Sequence, residues 1–287
     1  VCRHAKSKSI QAIDNISYQE STGREFATMN TLLLLLWVSV LFLLPVQVNA
    51  EEITIVGTGS GPQILKEIGK VFSRQHPEIS IITPRSIGSG GGIKAVGNDE
   101  YLLGRVAREI KPDEERYNLT YMPVARMPVV FYTNPGVEIQ NLTNDQVCGI
   151  YSGRIYTWQE VGGHNTRIKV IRRQDGDSSL RVLLQSFPNF KDIIITEFSK
   201  TTYSDPDTID LTEQTADAIA FGSYSDVISR QVSVLNIDGV SPADPVYPYY
   251  GTFALIFKEE NLTGSIKKFI DFAVSPAAAE AIKIAGA

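Results

Sequence analysis

"ITIVGTGSGPQILKEIGKVF", residues 53–72, decides the fold. Ile53–Val56 is a β-branched run, the composition of a buried strand. Gly57, Gly59 and Gly61 break it, with Thr58 and Ser60 between them. Pro62 then suits a first helical turn. Ile64, Leu65, Ile68, Val71 and Phe72 follow at helical spacing, giving one apolar face. The stretch reads as strand, Gly/Ser turn, helix. "ISIITPRSIGSGGGIKAV" at 79–96 has the same plan, and "IKVIRRQDGDSSLRVLLQSF" at 168–187 has it again. Strands that alternate with helices in this way argue for an α/β fold whose sheets are covered on both faces.

The remaining elements fit between these units. A strand is expected over Pro128–Tyr132, and a helix starts at Thr143 with a hydroxyl cap. "TFALIF" at 252–257 is apolar enough for a central strand. Two C-terminal helices are broken at Ser275-Pro276. Two lobes are expected, with chain crossings near Met127–Thr133 and Val246–Leu255. The expected division is residues 51–130 with 247–287 in one lobe and 131–246 in the other.

Ahead of this domain, Leu32–Leu44 forms an apolar run of thirteen residues. A bilayer span needs about twenty. The run fits a secretory signal, and "VNA" at 48–50 fits a cleavage site. Translation is expected to start at Met29, with 1–28 upstream of it and cleavage after Ala50. An uncleaved anchor is the alternative. Only Cys148 then remains, so no intramolecular disulfide is expected, and its flanks "QVCGIY" suit a small buried hydrophobe.

The 287 residues carry a formal net charge of -5, the wrong sign for generic nucleic-acid binding. His76 and His164 lie far apart and show no metal-ligand spacing, so neither a metal nor another cofactor is expected. No histidine follows His164, so the "GDSS" at 176–179 lacks the base that a serine nucleophile needs. "GTGSGP" and "GSGGGI" both miss the third glycine of a dinucleotide fingerprint, and neither supplies a P-loop lysine.

The turns can still hold an anion. A helix start presents unpaired N–H groups and the positive end of its dipole. Glycine allows close approach, and serine adds a hydroxyl. Three such turns converging on one cleft would make an oxyanion cage. The basic candidates are Arg105, Arg108, Arg172 and Arg173. On a strand, Arg172 and Arg173 point to opposite sides.

Taken in order, "GTGSGP", "GSGGGIKAV", "GRVAREIK", "VVFYTNP", "LTNDQVCGIYSGRIYTWQEVGG", "IKVIRRQDGDSS" and "FIDFAVSPAAAEAIKIAG" resemble the PstS-like periplasmic phosphate-binding proteins of ABC transporters, a branch of the type II solute-binding proteins. The resemblance spans Ile53–Gly286. It implies a two-lobed periplasmic-binding-protein-like fold with central mixed sheets flanked by helices and a cleft at a two-strand hinge. It also implies a monomeric periplasmic protein, not an enzyme, that captures inorganic phosphate and docks to a permease. Another oxyanion such as sulfate, molybdate or a phosphonate, or a sensor or adaptor role, is the alternative.

By position, the resemblance implies that Ser60 supplies a hydroxyl and Gly61 a backbone N–H. Ser89, with Gly90 beside it, supplies a hydroxyl and an amide. Arg173 forks onto the oxyanion, and Asp175 steadies Arg173. Two departures stand out. Arg108 occupies the place where the family has an aspartate that accepts the ligand's proton. "GDSS" replaces the usual "GSGT", so Asp177, Ser178 and Ser179 line the third turn. Asp177 reads either as a helix cap or as a replacement proton acceptor.

Overall fold

The computed structural model describes residues 51–287. The expected start at Met29, the leader and the cleavage after Ala50 lie outside the described residues.

β1 (Glu51–Gly57) leads through the first Gly/Ser turn into α1 (Pro62–Gln75). β2 (Ile79–Ile82) and α2 (Gly88–Gly97) repeat the unit, and β3 (Leu103–Val106) follows. β4 (Thr120–Thr133) is fourteen residues long. Then come α3 (Asn144–Ser152), β5 (Lys169–Arg173), α4 (Ser178–Ser186), β6 (Lys200–Thr202), α5 (Asp205–Gln214), β7 (Ala218–Ser223) and the short α6 (Tyr224–Val227). β8 (Tyr250–Phe257), α7 (Gly264–Ala273) and α8 (Pro276–Ile284) complete the chain. The elements form a mixed sheet flanked by helices, in the order β2-β1-β3-β8-β4-β7-β5-β6.

β4 joins the two ends of that order. Its first part, Thr120–Pro128, runs antiparallel to β8, and its last part, Val129–Thr133, runs antiparallel to β7. The apolar side chains change company at the same place. Ile53, Ile64, Ile68, Phe72, Met127, Phe253 and Phe269 pack in one cluster. On the other face of the same strands, Val56, Ile93, Val96, Val106 and Ile256 form a smaller one. Val129–Tyr132 belong to a third cluster with Tyr151, Trp158, Phe187, Phe190 and Phe221. Aromatic rings dominate the third cluster, with Phe131 edge-on to Phe187 at 5.2 Å and to Tyr151 at 5.6 Å. Cys148 packs there as a buried hydrophobe, and burial pushes its thiol pKa up.

β4 and the segment 245–250 are tied to each other. Arg126 donates to the carbonyls of Pro245 and Tyr247, and its guanidinium lies 3.5 Å from the centre of the Tyr250 ring. Tyr247 in turn donates its hydroxyl to the Val129 carbonyl at 3.0 Å.

Candidate functional site

The first turn is shaped by its backbone. Gly61 adopts φ 78°, and a Cβ there would sit 2.8 Å from the Phe253 ring. Only glycine meets both conditions. Arg105 braces this turn from below. It is 1% exposed and donates Nε to the Thr58 carbonyl and Nη2 to the Pro84 carbonyl, with Nη1 on the Ile55 carbonyl. Burial lowers its pKa to about 10, partly offset by Asp226. Arg105 is therefore committed to backbone carbonyls.

Ser60 is buried, and its Oγ lies 3.5 Å from Ser178 Oγ of the third turn. The Gly61 amide, which the resemblance assigns to the ligand, donates to Asp226 Oδ2 at 2.7 Å. The Gln63 amide donates to Asp226 Oδ1 at 3.2 Å. Pro62 between them has no N–H. Asp226, from α6, thus takes both free amides that open α1.

The third turn is built around Asp177. Its Oδ1 accepts the amides of Ser179 and Leu180 at 2.9 and 3.1 Å, which makes it the N-cap of α4. Its Oδ2 accepts Arg173 Nη2 at 2.6 Å. Both oxygens are engaged, and of the two roles read from the sequence the cap is the one present in the geometry. Arg173 is 1% exposed. Its Nη1 reaches Asp205 Oδ1 at 2.9 Å and Thr208 Oγ1 at 3.2 Å. Burial would depress the Arg173 pKa, but Asp205 and Asp177 outweigh it and raise it, so the guanidinium stays charged.

Asp175 is a correction. It does not steady Arg173. It pairs with Arg172 and is exposed to solvent. The alternation of the strand explains this: Arg172 and Arg173 leave β5 on opposite sides. Gly176, at φ 84°, then turns the chain so that Asp177, not Asp175, returns toward Arg173. Arg172 is half-buried.

The second turn holds a separate group. Ser89 lies in the first turn of α2, and its Oγ accepts the Ala107 amide at 3.2 Å. Gly90 lies beside Arg108 and Glu114. Arg108 forks onto Glu114 with two bonds of 2.7 Å and donates to the Glu109 carbonyl. Burial pushes the Glu114 carboxyl up, and the Arg108 bonds bring it below its ordinary range. Arg108 is thus one half of an ion pair and brings no unpaired charge to the cleft.

Two buried acids were not picked out from sequence. Asp205 is 0% exposed and opens α5, and its Oδ2 has no hydrogen-bond partner. Asp226 is 8% exposed. Desolvation raises the pKa of both, and proximity to Asp205 helps push Asp226 to about 8. In sequence each stands at a helix start, "SDPD" and "SYSD", where an acid normally faces water. Three further polar atoms around Arg173 are buried without partners: Arg173 Nε, Ser179 Oγ and Tyr132 Oη. Buried polar groups are nearly always hydrogen-bonded, so four such atoms in one neighbourhood mark a ligand position. The structure therefore gathers Ser60, Gly61, Arg173, Asp177, Ser178 and Ser179 and adds Asp205 and Asp226. It holds Ser89, Gly90 and Arg108 in a second set of bonds.

The family model for the PBP superfamily domain matches residues 45–277. The chain belongs to the PBP superfamily. Among curated members similar to it, a phosphate-binding protein PstS of Bacillus subtilis is 24% identical over 230 residues, 77% of this chain and 74% of that one. A phosphate-binding protein PstS of Borreliella burgdorferi is 22% identical over 264 residues, covering 85% and 92%. A solved PBP structure, a putative phosphate ABC transporter substrate-binding protein of Clostridium perfringens with bound phosphate, superposes with a TM-score of 0.73. It is 26% identical and covers 82% of this chain and 98% of that one. The mixed sheet with flanking helices is thus the PBP fold.

Proposed function

We propose that this protein captures inorganic phosphate in the cleft around Arg173 and delivers it to the permease of an ABC importer. The observation that supports this best is the pair of buried, unpartnered donors, Arg173 Nε and Ser179 Oγ, beside the hydroxyls of Ser60 and Ser178. Donors without partners in a dry site suit an oxyanion, and a guanidinium edge suits a tetrahedral one. The PstS relatives and the phosphate-bound structure support phosphate as that anion.

The reading has a mechanical part. Residues 51–130 with 247–287 form one lobe and 131–246 the other, and the lobes rotate about the crossings at β4 and at 246–255. Closure brings Ser60 and Gly61 of one lobe against Ser178, Asp205 and Asp226 of the other. The anion then gains donors that are worth more away from water. The closed form is what a permease recognises, so the opening equilibrium carries the function. No bond is made or broken in the ligand. The protein acts as a monomer on the outer side of the inner membrane.

Equilibrium dialysis of protein refolded free of anion against labelled phosphate tests the reading. One saturable site per chain, competed by arsenate but not by chloride, is the expected result. Absence of saturable phosphate binding overturns it.

A further inference from the structure

The cleft carries more buried acid than base. Asp177, Asp205 and Asp226 are each at most 9% exposed, against Arg105 and Arg173 at 1% each. Arg105 is spent on carbonyls, and Arg173 already faces two of the three carboxylates. A dianion added to this set meets an excess of like charge with little water to screen it, and like charges in one dry site share a proton instead. On the proposed lobe division Asp205 and Asp226 fall within 131–246, and both face the Ser60–Gly61 turn of 51–130. That turn covers Asp226 through the Gly61 and Gln63 amides, while Asp205 packs among Arg173, Gly222 and Tyr132.

We propose that Asp205 and Asp226 are a one-proton pair, and that closing the cleft on its anion takes a proton from solvent onto Asp205 Oδ2. The proposal rests on the phosphate reading above and adds to it the protonation state of the site. Hydrogen bonding places the proton. Both oxygens of Asp226 accept backbone amides, which favours a carboxylate there. Asp205 Oδ1 accepts Arg173, whereas Oδ2 has no partner at full hydrogen-bond geometry, with the Ser60 hydroxyl and Ser223 amide nearby lowering the Asp205 pKa against its burial. A proton on Oδ2 makes it a third donor beside Arg173 Nε and Ser179 Oγ. The balance is simple: one proton leaves the buffer and one carboxylate becomes a carboxyl.

The groups around the pair favour uptake. Arg173, Asp177 and Tyr132 face Asp205, and Tyr132 is itself held neutral by burial. Asp205, Arg173 and Arg105 face Asp226, and Lys66 and Arg230 line the small cavity at its outer edge. Arg230 is occupied by Asp210 and Glu213. Burial pushes both carboxyls upward; Asp177 adds to the rise at Asp205, and Asp205 adds to the rise at Asp226, which reaches about 8. In the proposed opening, that burial is relieved. A pKa that rises on closure means net proton uptake between the two values.

Calorimetric titration of the protein with phosphate at pH 7, in buffers of different ionisation enthalpy, reads the proton directly. The slope of observed heat against buffer enthalpy is the number of protons taken up. The expected wild-type slope exceeds the fraction of a proton that phosphate's own ionisation supplies at that pH. Asp205→Asn and Asp226→Asn, each isosteric and checked for folding by circular dichroism, are expected to lower it by close to one proton while still binding phosphate. Binding with a wild-type slope no larger than phosphate itself supplies overturns the proposal. So do equal slopes in wild type and variants. Failure of the wild type to bind phosphate in any buffer overturns the ligand reading and this inference with it.

Discussion

Arg108 and Arg173 stand beside similar turns and end in different electrostatic states. Arg108 meets Glu114, six residues on, and the two groups satisfy each other with paired bonds of 2.7 Å. Arg173 meets Asp177 close by and Asp205 from another element, and still has Nε free in a dry site. One arginine is a finished structural pair. The other is one donor short of finished, and that shortfall is what a ligand can use. Proximity to a Gly/Ser turn does not separate them; what else reaches each guanidinium does.

The largest effect expected is at Arg173. Arg173→Ala leaves Asp205 buried without its partner, a loss of about 3–5 kcal/mol in stability. It also abolishes phosphate binding in dialysis. Arg173→Lys keeps the charge without the fork and is expected to fold and to bind at least tenfold more weakly. Arg108→Ala breaks a pair at the other arginine and is expected to shift phosphate affinity by no more than about threefold, a Coulomb effect with no direct contact. Equal losses at the two arginines would break the comparison.

The next effect is at Asp177. Asp177→Ala removes a helix cap worth about 1 kcal/mol and one partner of Arg173. Urea denaturation should show a loss of about 2 kcal/mol or more, since a charged hydrogen bond goes with the cap. Asp177→Asn keeps the cap and should lose less. Tighter phosphate binding in Asp177→Asn than in wild type would show that the carboxylate is mainly a charge penalty.

A pH series sharpens the same contrast. The folded-state pKa of Asp226 is raised to about 8, above its unfolded value of about 4. The raised value belongs to the Asp205–Asp226 pair, whose one proton is bound more tightly in the fold than in the unfolded chain. Its contribution is complete below about pH 4 and is lost as pH rises toward 8. Glu114 runs the other way, because Arg108 holds it below its ordinary range: its contribution is present at neutral pH and is lost on acidification. Melting temperature measured from pH 5 to 8 should therefore fall less steeply in Asp226→Asn than in wild type. Parallel curves would count against the burial of that acid.

The smallest effect is at Asp175. Asp175→Ala removes an exposed partner of Arg172, a pair worth well under about 1 kcal/mol. Phosphate affinity should be unchanged. A tenfold loss would restore Asp175 to the site.

How much of this could be read beforehand follows the range of each interaction. The strand–turn–helix units are written in neighbouring residues, so β1 with α1, β2 with α2 and β5 with α4 were legible from apolar spacing and glycine placement. Arg173 and Asp177 sit four apart, and the capping role of Asp177 follows from its place before α4. Asp175 misled because its role was carried over by position from the resemblance, whereas a positive-φ glycine turns the chain just after it and returns Asp177 toward Arg173. Asp205 and Asp226 were not legible. Each occupies a helix-start position that is solvated in most proteins, and only the folding of two distant turns together buries them. The pairing of Arg108 was not legible because Glu114 comes from a separate short 3-10 turn, Pro112–Tyr117, whose placement against α2 is a tertiary contact.

Arg126 gives the cleft a consequence that none of its lining residues supplies. By holding the Pro245 and Tyr247 carbonyls while lying on the Tyr250 ring, it ties β4 to the chain that enters β8, the two segments proposed as crossings. Two ropes tied together behave as an axle. They permit turning and oppose sliding, because a slide must break every tie at once. In the proposed closure the halves therefore return to the same register on every cycle, and the serine and arginine donors meet the anion without searching for their alignment. Fidelity of grip is then set at the axle, by a residue outside the anion's reach.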